Sequence, residues 1–460
     1  MSSDPKPPAR GGALSFLTPT ALAAVFAPAL LFEVGIGAVI PMVAVRASEL
    51  GADLATAGLL AALLAVGQIL GDVPAGAVAA RLGDRWAMAA AAAVAVVTLT
   101  VCALADALAV LALGVLGTGV TNAVFLLARH SYLAEVTPVV HRARVLSTLG
   151  GVGRIGMFVG PFLGAALVHA TATAAAFWLA VVTTALVVIV LLAVPDVGGE
   201  GRGRRGTLRR RAAGGAAGGA AGAGAVAGRG ATRAPAPRVT VRRVVADHGR
   251  LFATLGVGVL LVGAVRGSRQ VLLPLWGEHL GLDPAVTSLV YGISGALDTL
   301  VFYPAGMLMD RRGRLAVGVP SMLVLGVAML LLPLAGGPVA LAVLAAAMGL
   351  GNGVSAGILM TLGADTAPAD VRAQFLGMWR LMQDTGTAAG PLVVSAAAAL
   401  GSLAAGALTM GAVGVVAAGV LAATVPRWTV HASVRTRVAA GLRADGSSPP
   451  GAGEVQGRTR

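Results

Sequence analysis

Long apolar runs alternate with short polar breaks along most of this chain. A helix needs about 20 apolar residues to cross a hydrocarbon core of about 30 Å. Runs of that length predict spanning helices at about 20–45, 54–80, 86–105, 109–130, 145–169, 173–194, 251–275, 285–308, 315–335, 339–363, 374–400 and 402–425. The runs are continuous and not ten-residue alternations, which argues against a barrel of spanning strands. Two stretches break the pattern. Residues 196–250 are rich in Gly, Ala and Arg, cannot bury a core, and read as a flexible linker. The polar stretch from about 430 onwards reads as disordered. The expected fold is an all-α polytopic membrane protein of twelve transmembrane helices in two six-helix bundles. Its parts are an N-terminal tail (1–19), a first bundle (20–195), the linker (196–250), a second bundle (251–425) and a C-terminal tail (426–460).

Composition narrows the class. Of 460 residues, 57% are hydrophobic and 12% charged, with a mean hydropathy of +0.86. A soluble protein this apolar would expose too much apolar surface to stay in water. A single cysteine, Cys102, excludes an internal disulfide framework and a cysteine-based metal cluster. The formal charge of +14 admits a nucleic-acid surface, but aromatics are only 4% and the arginines fall between apolar runs, where they act as topology signals. With the N-terminus inside, the inner loops hold Arg81, Arg85, Arg142, Arg144, Arg311, Arg312, Arg314 and Arg372; among outer loops, Arg46 is the exception. Both termini are therefore expected in the cytoplasm, in a multi-pass protein of the cell (inner) membrane. The first run is too long for a cleaved signal peptide. The linker arginines, such as Arg209, Arg210 and Arg211, offer a second use in binding anionic headgroups.

A shift of 230 residues superposes the halves without a gap over much of their length. Pro74 meets Pro304, Gly76 meets Gly306, Arg81 meets Arg311 and Gly83 meets Gly313. Gly119 meets Gly349, Asn122 meets Asn352, Pro138 meets Pro368 and Arg142 meets Arg372. Gly156, Gly160 and Pro161 meet Gly386, Gly390 and Pro391. Each half has an even number of spans, so the copies share one orientation and are related by an axis along the membrane normal.

These residues carry a resemblance. Over roughly residues 20–425 the chain resembles a major facilitator superfamily transporter. The family's loop signature stands in the second half as Gly306, Asp310, Arg311, Gly313 and Arg314. The first half reads Gly76, Ala80, Arg81, Gly83, Asp84 and Arg85, with Ala80 in place of the acid. The fifth-span signature is Gly156, Gly160, Pro161 and Gly164, associated in this family with exporters that exchange substrate for protons. The fourth-span arginine of many proton-coupled members has no match near Leu113–Gly119. Read by physics alone, glycines four apart let helices approach closely, and proline bends a span. The dinucleotide fingerprint at Gly151, Gly153 and Gly156 lies inside a span with no preceding strand, and is rejected.

Charges within spans are functional candidates. They are Glu33, Asp72, Arg154, Arg266, Arg269, Asp298, Arg380 and Asp384; Asn122 and Asn352 add neutral polarity, and spans 3, 6, 9 and 12 carry no mid-span charge. In the resembled family the charge-bearing spans line the central cavity. By helical rise, Asp72 and Arg154 lie about 13 and 15 Å from the inner surface, and are expected to pair. Glu33, about 20 Å deep and without a partner on its own helix, is the first candidate for proton coupling or for holding a cationic substrate. Arg266 and Arg269 share a face of span 7 and form, with Asp298 and Asp384, a second cluster that balances its own charge. Arg129 and His130 read as a headgroup anchor, and Trp276 as an interfacial one.

No phosphate loop, Ser/His/Asp set or metal cluster appears, so the chain is expected to be neither an enzyme nor a cofactor protein. The sequence favours a secondary transporter exporting a hydrophobic or cationic compound in exchange for protons, working as a monomer in the lipid bilayer without nucleic acid. Proton-linked or facilitative uptake is the alternative, followed by a non-transporting receptor or assembly factor.

Overall fold

A computed structural model describes residues 19–137, 139–193, 241–355, 357–368 and 371–444. Linker residues 196–240, the side chains of Arg142 and Arg144, and the last part of the tail lie outside the described residues, while the last ten residues of the expected linker, 241–250, are instead largely helical. Among those described there is no strand. The first half is α1 (Pro19–Glu49), α2 (Leu54–Leu82), α3 (Asp84–Leu104), α4 (Leu108–Val136), α5 (Val139–Ala170) and α6 (Ala174–Ala193). A short helix, α7 (Val241–Asp247), leads into α8 (Gly249–His279), which carries a π-helical turn at Phe252–Gly256. Then come α9 (Pro284–Arg312), α10 (Leu315–Leu331), α11 (Pro338–Ser355), α12 (Ile358–Thr366), α13 (Arg372–Ala399), α14 (Leu403–Trp428) and α15 (Val434–Ala439).

Eleven of these segments are long and apolar enough to cross a membrane, α11 and α12 counting as one. The twelfth span is α13. Its 28 residues suffice for length, but Arg372, Arg380, Gln383 and Asp384 make it too polar to qualify on hydropathy. Of these, Arg380 and Asp384 lie within electrostatic reach of Asp72 in the other half.

Packing repeats between the halves as the sequence does. In the first, α1 packs on α5, α2 on α4, and α3 on both α4 and α6; in the second, α8 packs on α13, α9 on α11, and α10 on both α11 and α14. Lipid tails are as apolar as leucine, so helices in a bilayer are held by close backbone approach and not by hydrophobic expulsion. The glycine motifs supply that approach. A Cβ on Gly156 would stand 2.7 Å from the Leu30 carbonyl oxygen and 2.8 Å from the Glu33 Cβ, and one on Gly160 would strike the Val34 carbonyl. Gly164 faces Ala38 of the same helix. The second copy does the same: a Cβ on Gly386 would strike the Leu260 carbonyl of α8, and one on Gly390 that of Ala264. Both loop signatures turn on a glycine with positive φ, 82° at Gly83 and 96° at Gly313, a region that side chains resist.

The C-terminal segment departs from expectation. Residues 429–444 are ordered, with a 3-10 turn at Val430–Ala432 and α15, whose N-terminus is closed by a Ser433/Thr436 capping box. Arg437, only 2% exposed, donates to the carbonyls of Asp310 (2.8 Å) and Arg311 (3.3 Å) at the end of α9, where orphan acceptors and the helix dipole favour a cation. The Arg314 amide donates to the His431 carbonyl, and Asp365 of α12 accepts from Arg314 (2.9 Å) and Thr429 (3.4 Å). A polar tail folds here because it caps helix ends with charge; burial of apolar surface plays little part, so hydropathy could not show it.

Arg437→Met should lower the apparent Tm of the purified protein by an amount equivalent to about 2 kcal/mol, the cost of losing charge-assisted hydrogen bonds from a buried site. It should also expose segment 429–444 to limited proteolysis. Burial pushes the His431 imidazole below its usual range, with Arg314 and Arg437 adding repulsion and Asp365 opposing them. The undocked tail therefore takes up a proton more readily, and docking should weaken as pH falls below about 6.5, the ordinary histidine value. Proteolysis of this segment across pH 8 to 5 measures it.

Candidate substrate and gating site

The halves meet through α2 against α13, α5 against α9, and α1 against α8. Their contacts gather at the end bearing the Gly51 and Gly281 turns. There Ser288 of α9 donates to the Pro161 carbonyl of α5 (2.8 Å), Glu278 of α8 hydrogen-bonds Ser48 of α1, and Gly292 faces Phe162. The protein is thus closed at one end of its central seam.

A charged cluster lies at mid-depth on this seam. On α8, Gly263 and Gly267 press against carbonyls of α13, while Arg266 and Arg269, three residues apart, turn toward α9 and α11. Arg269 stands ten residues from the helix end, about 15 Å by helical rise. Asp298 of α9 is the hub. One carboxylate oxygen accepts from Arg154 of α5 at 2.7 Å, across the seam; the other accepts from the Asn352 amide at 2.6 Å and faces Arg269 at 3.9 Å. The Asn352 oxygen in turn accepts from Arg266 Nε at 2.8 Å, and Arg269 donates to the Ser294 hydroxyl at 2.6 Å. The Arg154 guanidinium also lies 4.2 Å from the centre of the Phe302 ring.

Two further charged groups flank the hub. Glu33 of α1 accepts from Arg129 of α4 at 3.2 Å, beside the stacked rings of Phe32 and Phe125. In a second group, Asp72 of α2 sits within electrostatic reach of Arg380 and Asp384, both on α13. Arg380 pairs with Asp384 at 3.4 Å, and His130 of α4 also feels its charge.

Several expectations change. Asp72 and Arg154 do not pair: helical rise gave their depth but not their azimuth, and Arg154 faces α9 while α2 packs on α4 and α13. Glu33 is not alone, because Arg129, read as a headgroup anchor, is buried and reaches it. Trp276 is also buried, its indole donating to the Ala335 carbonyl, and is no interfacial anchor. Asp384 belongs to the α2/α13 group, so the hub is not self-neutralising: three arginines surround one carboxylate. Asn122 is buried in α4 outside these groups. In the loop signatures, Arg81 and Arg311 are exposed; Asp310, 79% exposed, meets Arg314 at 3.6 Å. Arg85 donates to the Leu191 carbonyl of α6, tying the first loop without the acid that Ala80 replaces. Ser294 and Tyr291 have neither a charge nor an amide, such as those of Asn122 and Asn352, to mark them in an apolar span; their spacing of four and seven residues from Asp298 places them on its face.

Comparison with known proteins follows the same lines. Residues 22–391 and 255–439 match the family model described as Major Facilitator Superfamily. No curated protein matches in sequence. Among solved structures, a POT family transporter in complex with 5-aminolevulinic acid superposes with a TM-score of 0.68 at 13% identity, covering 91% of this chain and 98% of the other. The nucleoside transporter NupG gives 0.64 at 16% identity over 88% and 99%. The inward-open xylose transporter XylE from E. coli gives 0.62 at 17% over 88% and 95%.

The Glu33–Arg129 pair yields a stability prediction. Arg129→Met leaves a buried carboxylate without its cation and should destabilise the protein by about 3–5 kcal/mol. The double variant Glu33→Gln/Arg129→Met should recover most of that loss. Thermal unfolding in detergent, run as a double-mutant cycle, reads both.

Proposed function

Because the chain belongs to the major facilitator superfamily, we propose that it is a secondary transporter that carries a small molecule across the cell membrane by alternating access. The carrying observation is the Arg154–Asp298 pair, which joins the two halves at mid-depth, below the end where they are in close contact. An ion pair on such a seam holds the halves in one arrangement and is broken when they rock. With the arginine-bearing turns in the cytoplasm, the closed end faces outward. The α5 glycine motif gives α1 and α5 a single rigid unit for that motion, and supports outward movement in exchange for protons.

Proton uptake falls to the carboxylates of the flanking groups. Asp72 and Asp384 stand on opposite halves and share Arg380. Rocking changes the charge each one sees, which is the requirement for coupling a proton to the motion. Glu33, held by Arg129, is the third candidate. Proton-linked uptake is the second reading. It is favoured by a structural neighbour described as a D-xylose-proton symporter, with a TM-score of 0.62 at 17% identity over 87% of this chain and 96% of that one.

A disulfide across the closed end tests the motion. A Cβ on Gly58 would stand 3.5 Å from the Ser395 Cβ, within disulfide range. In a Cys102→Ser background, Gly58→Cys/Ser395→Cys should cross-link under oxidation and stop transport in vesicles, with recovery on reduction. Full transport by cross-linked protein overturns alternating access. Substrate-driven proton flux that persists in Glu33→Gln, Asp72→Asn and Asp384→Asn alike removes these carboxylates from coupling.

A further inference from the structure

The hub carries more positive charge than it neutralises, and this bears on the substrate. Arg154, Arg266 and Arg269 surround Asp298, whose two oxygens are already engaged by Arg154 and Asn352. Among the described residues, Asp298 is the acid within electrostatic reach of Arg266, while Arg154 and Arg269 add repulsion. Of the flanking carboxylates, Glu33 is paired with Arg129, while Asp72 and Asp384 share Arg380, one positive charge between two acids. At the hub itself two guanidiniums remain in excess, at mid-membrane depth, where an unbalanced charge is costly and marks a pathway or a ligand.

Their donors are also incompletely used. Arg269 is 6% exposed, donates through Nη1 to Ser294, and leaves its Nε buried without a partner. Arg266 is half-buried and, among the described hydrogen bonds, donates only from Nε. Its terminal nitrogens are left for another acceptor. Asn352 and Ser294 hold the two guanidiniums in place, so the pair is organised before any ligand arrives.

We infer that this site binds an organic anion, with Arg266 and Arg269 of α8 holding a compact oxyanion group such as a carboxylate. The inference rests on the transport reading and names its substrate class. A planar guanidinium offers two parallel donors to a carboxylate, a geometry that a lysine ammonium does not reproduce. A cation entering the same space would meet three arginines and one occupied carboxylate. That reverses the expectation of a cationic cargo, which depended on an unpaired Glu33. Phe302, half-buried beside Arg154, supplies apolar surface for the rest of the molecule, while Tyr291 is buried behind Arg269.

The test uses the full-length purified protein and a matched set of probes: aromatic and aliphatic monocarboxylates, their primary amides, and the corresponding amines. Thermal stabilisation reads binding, and counterflow in reconstituted vesicles reads transport. The carboxylates should stabilise the wild type and exchange in counterflow, while the amides and amines do neither. Arg266→Gln should weaken carboxylate binding at least tenfold, and Arg266→Lys should restore only part of it. Should no carboxylate stabilise the wild type more than its amide, the inference is overturned. Counterflow of amines or amides, undiminished in Arg266→Gln, also overturns it, while leaving the transport reading intact. Carboxylate binding that depends on Arg266 without counterflow of any probe supports the site and counts against transport.

Discussion

An ionised side chain in the middle of a bilayer needs a partner, and the partner it finds decides which helices must stay together. In this protein the constraint concentrates on Asp298. Its carboxylate is met by Arg154 from the other half and by Asn352 and Arg269 from its own. The contacts from its own half keep the second bundle intact whichever way the halves lean. In the proposed transport cycle the Arg154 contact is the one surrendered when the seam opens at the closed end, which would make one carboxylate both a structural fixture and a moving part.

The glycine motifs solve the complementary problem of making each half rigid enough to rock as a body. Gly156 and Gly160 bring α5 onto the backbone of α1; Gly386 and Gly390 bring α13 onto α8. The bland reading of those glycines as packing and the functional one as a transport signature describe the same contacts. Helices α5 and α13 are also two of those that face the opposite half, so stiffness and gating share elements. The clasp built by Arg437 adds to the second half alone, fixing the ends of α9 and α10 where the Gly313 turn joins them.

Much of this could be read from the chain. Spans, the repeat and the polar residues on the seam all follow from hydropathy and from a 230-residue shift, whereas the helix at Val241–Asp247, inside the expected linker, does not. Pairing did not follow. Helical rise fixes how deep Asp72 and Arg154 lie, but a 100° turn per residue decides which neighbour each meets, and a proline inside a helix, as at Pro74 and Pro161, disturbs that angle. Arg129 misled because an arginine near a helix end has two uses, at a headgroup or at a buried acid, and only tertiary packing chooses. The tail misled because its order comes from capping carbonyls and from Asp365, interactions with no periodic signature.

The claim that most of this depends on is that Arg154 and Asp298 act as one unit across the seam. A double-mutant cycle on transport in vesicles, with Arg154→Gln, Asp298→Asn and the pair together, measures it directly. Each single change should slow transport, and the double should be no slower than the worse single, because the second change removes a contact already gone. Losses that multiply independently would show that the two residues act separately and that the seam is held by other means.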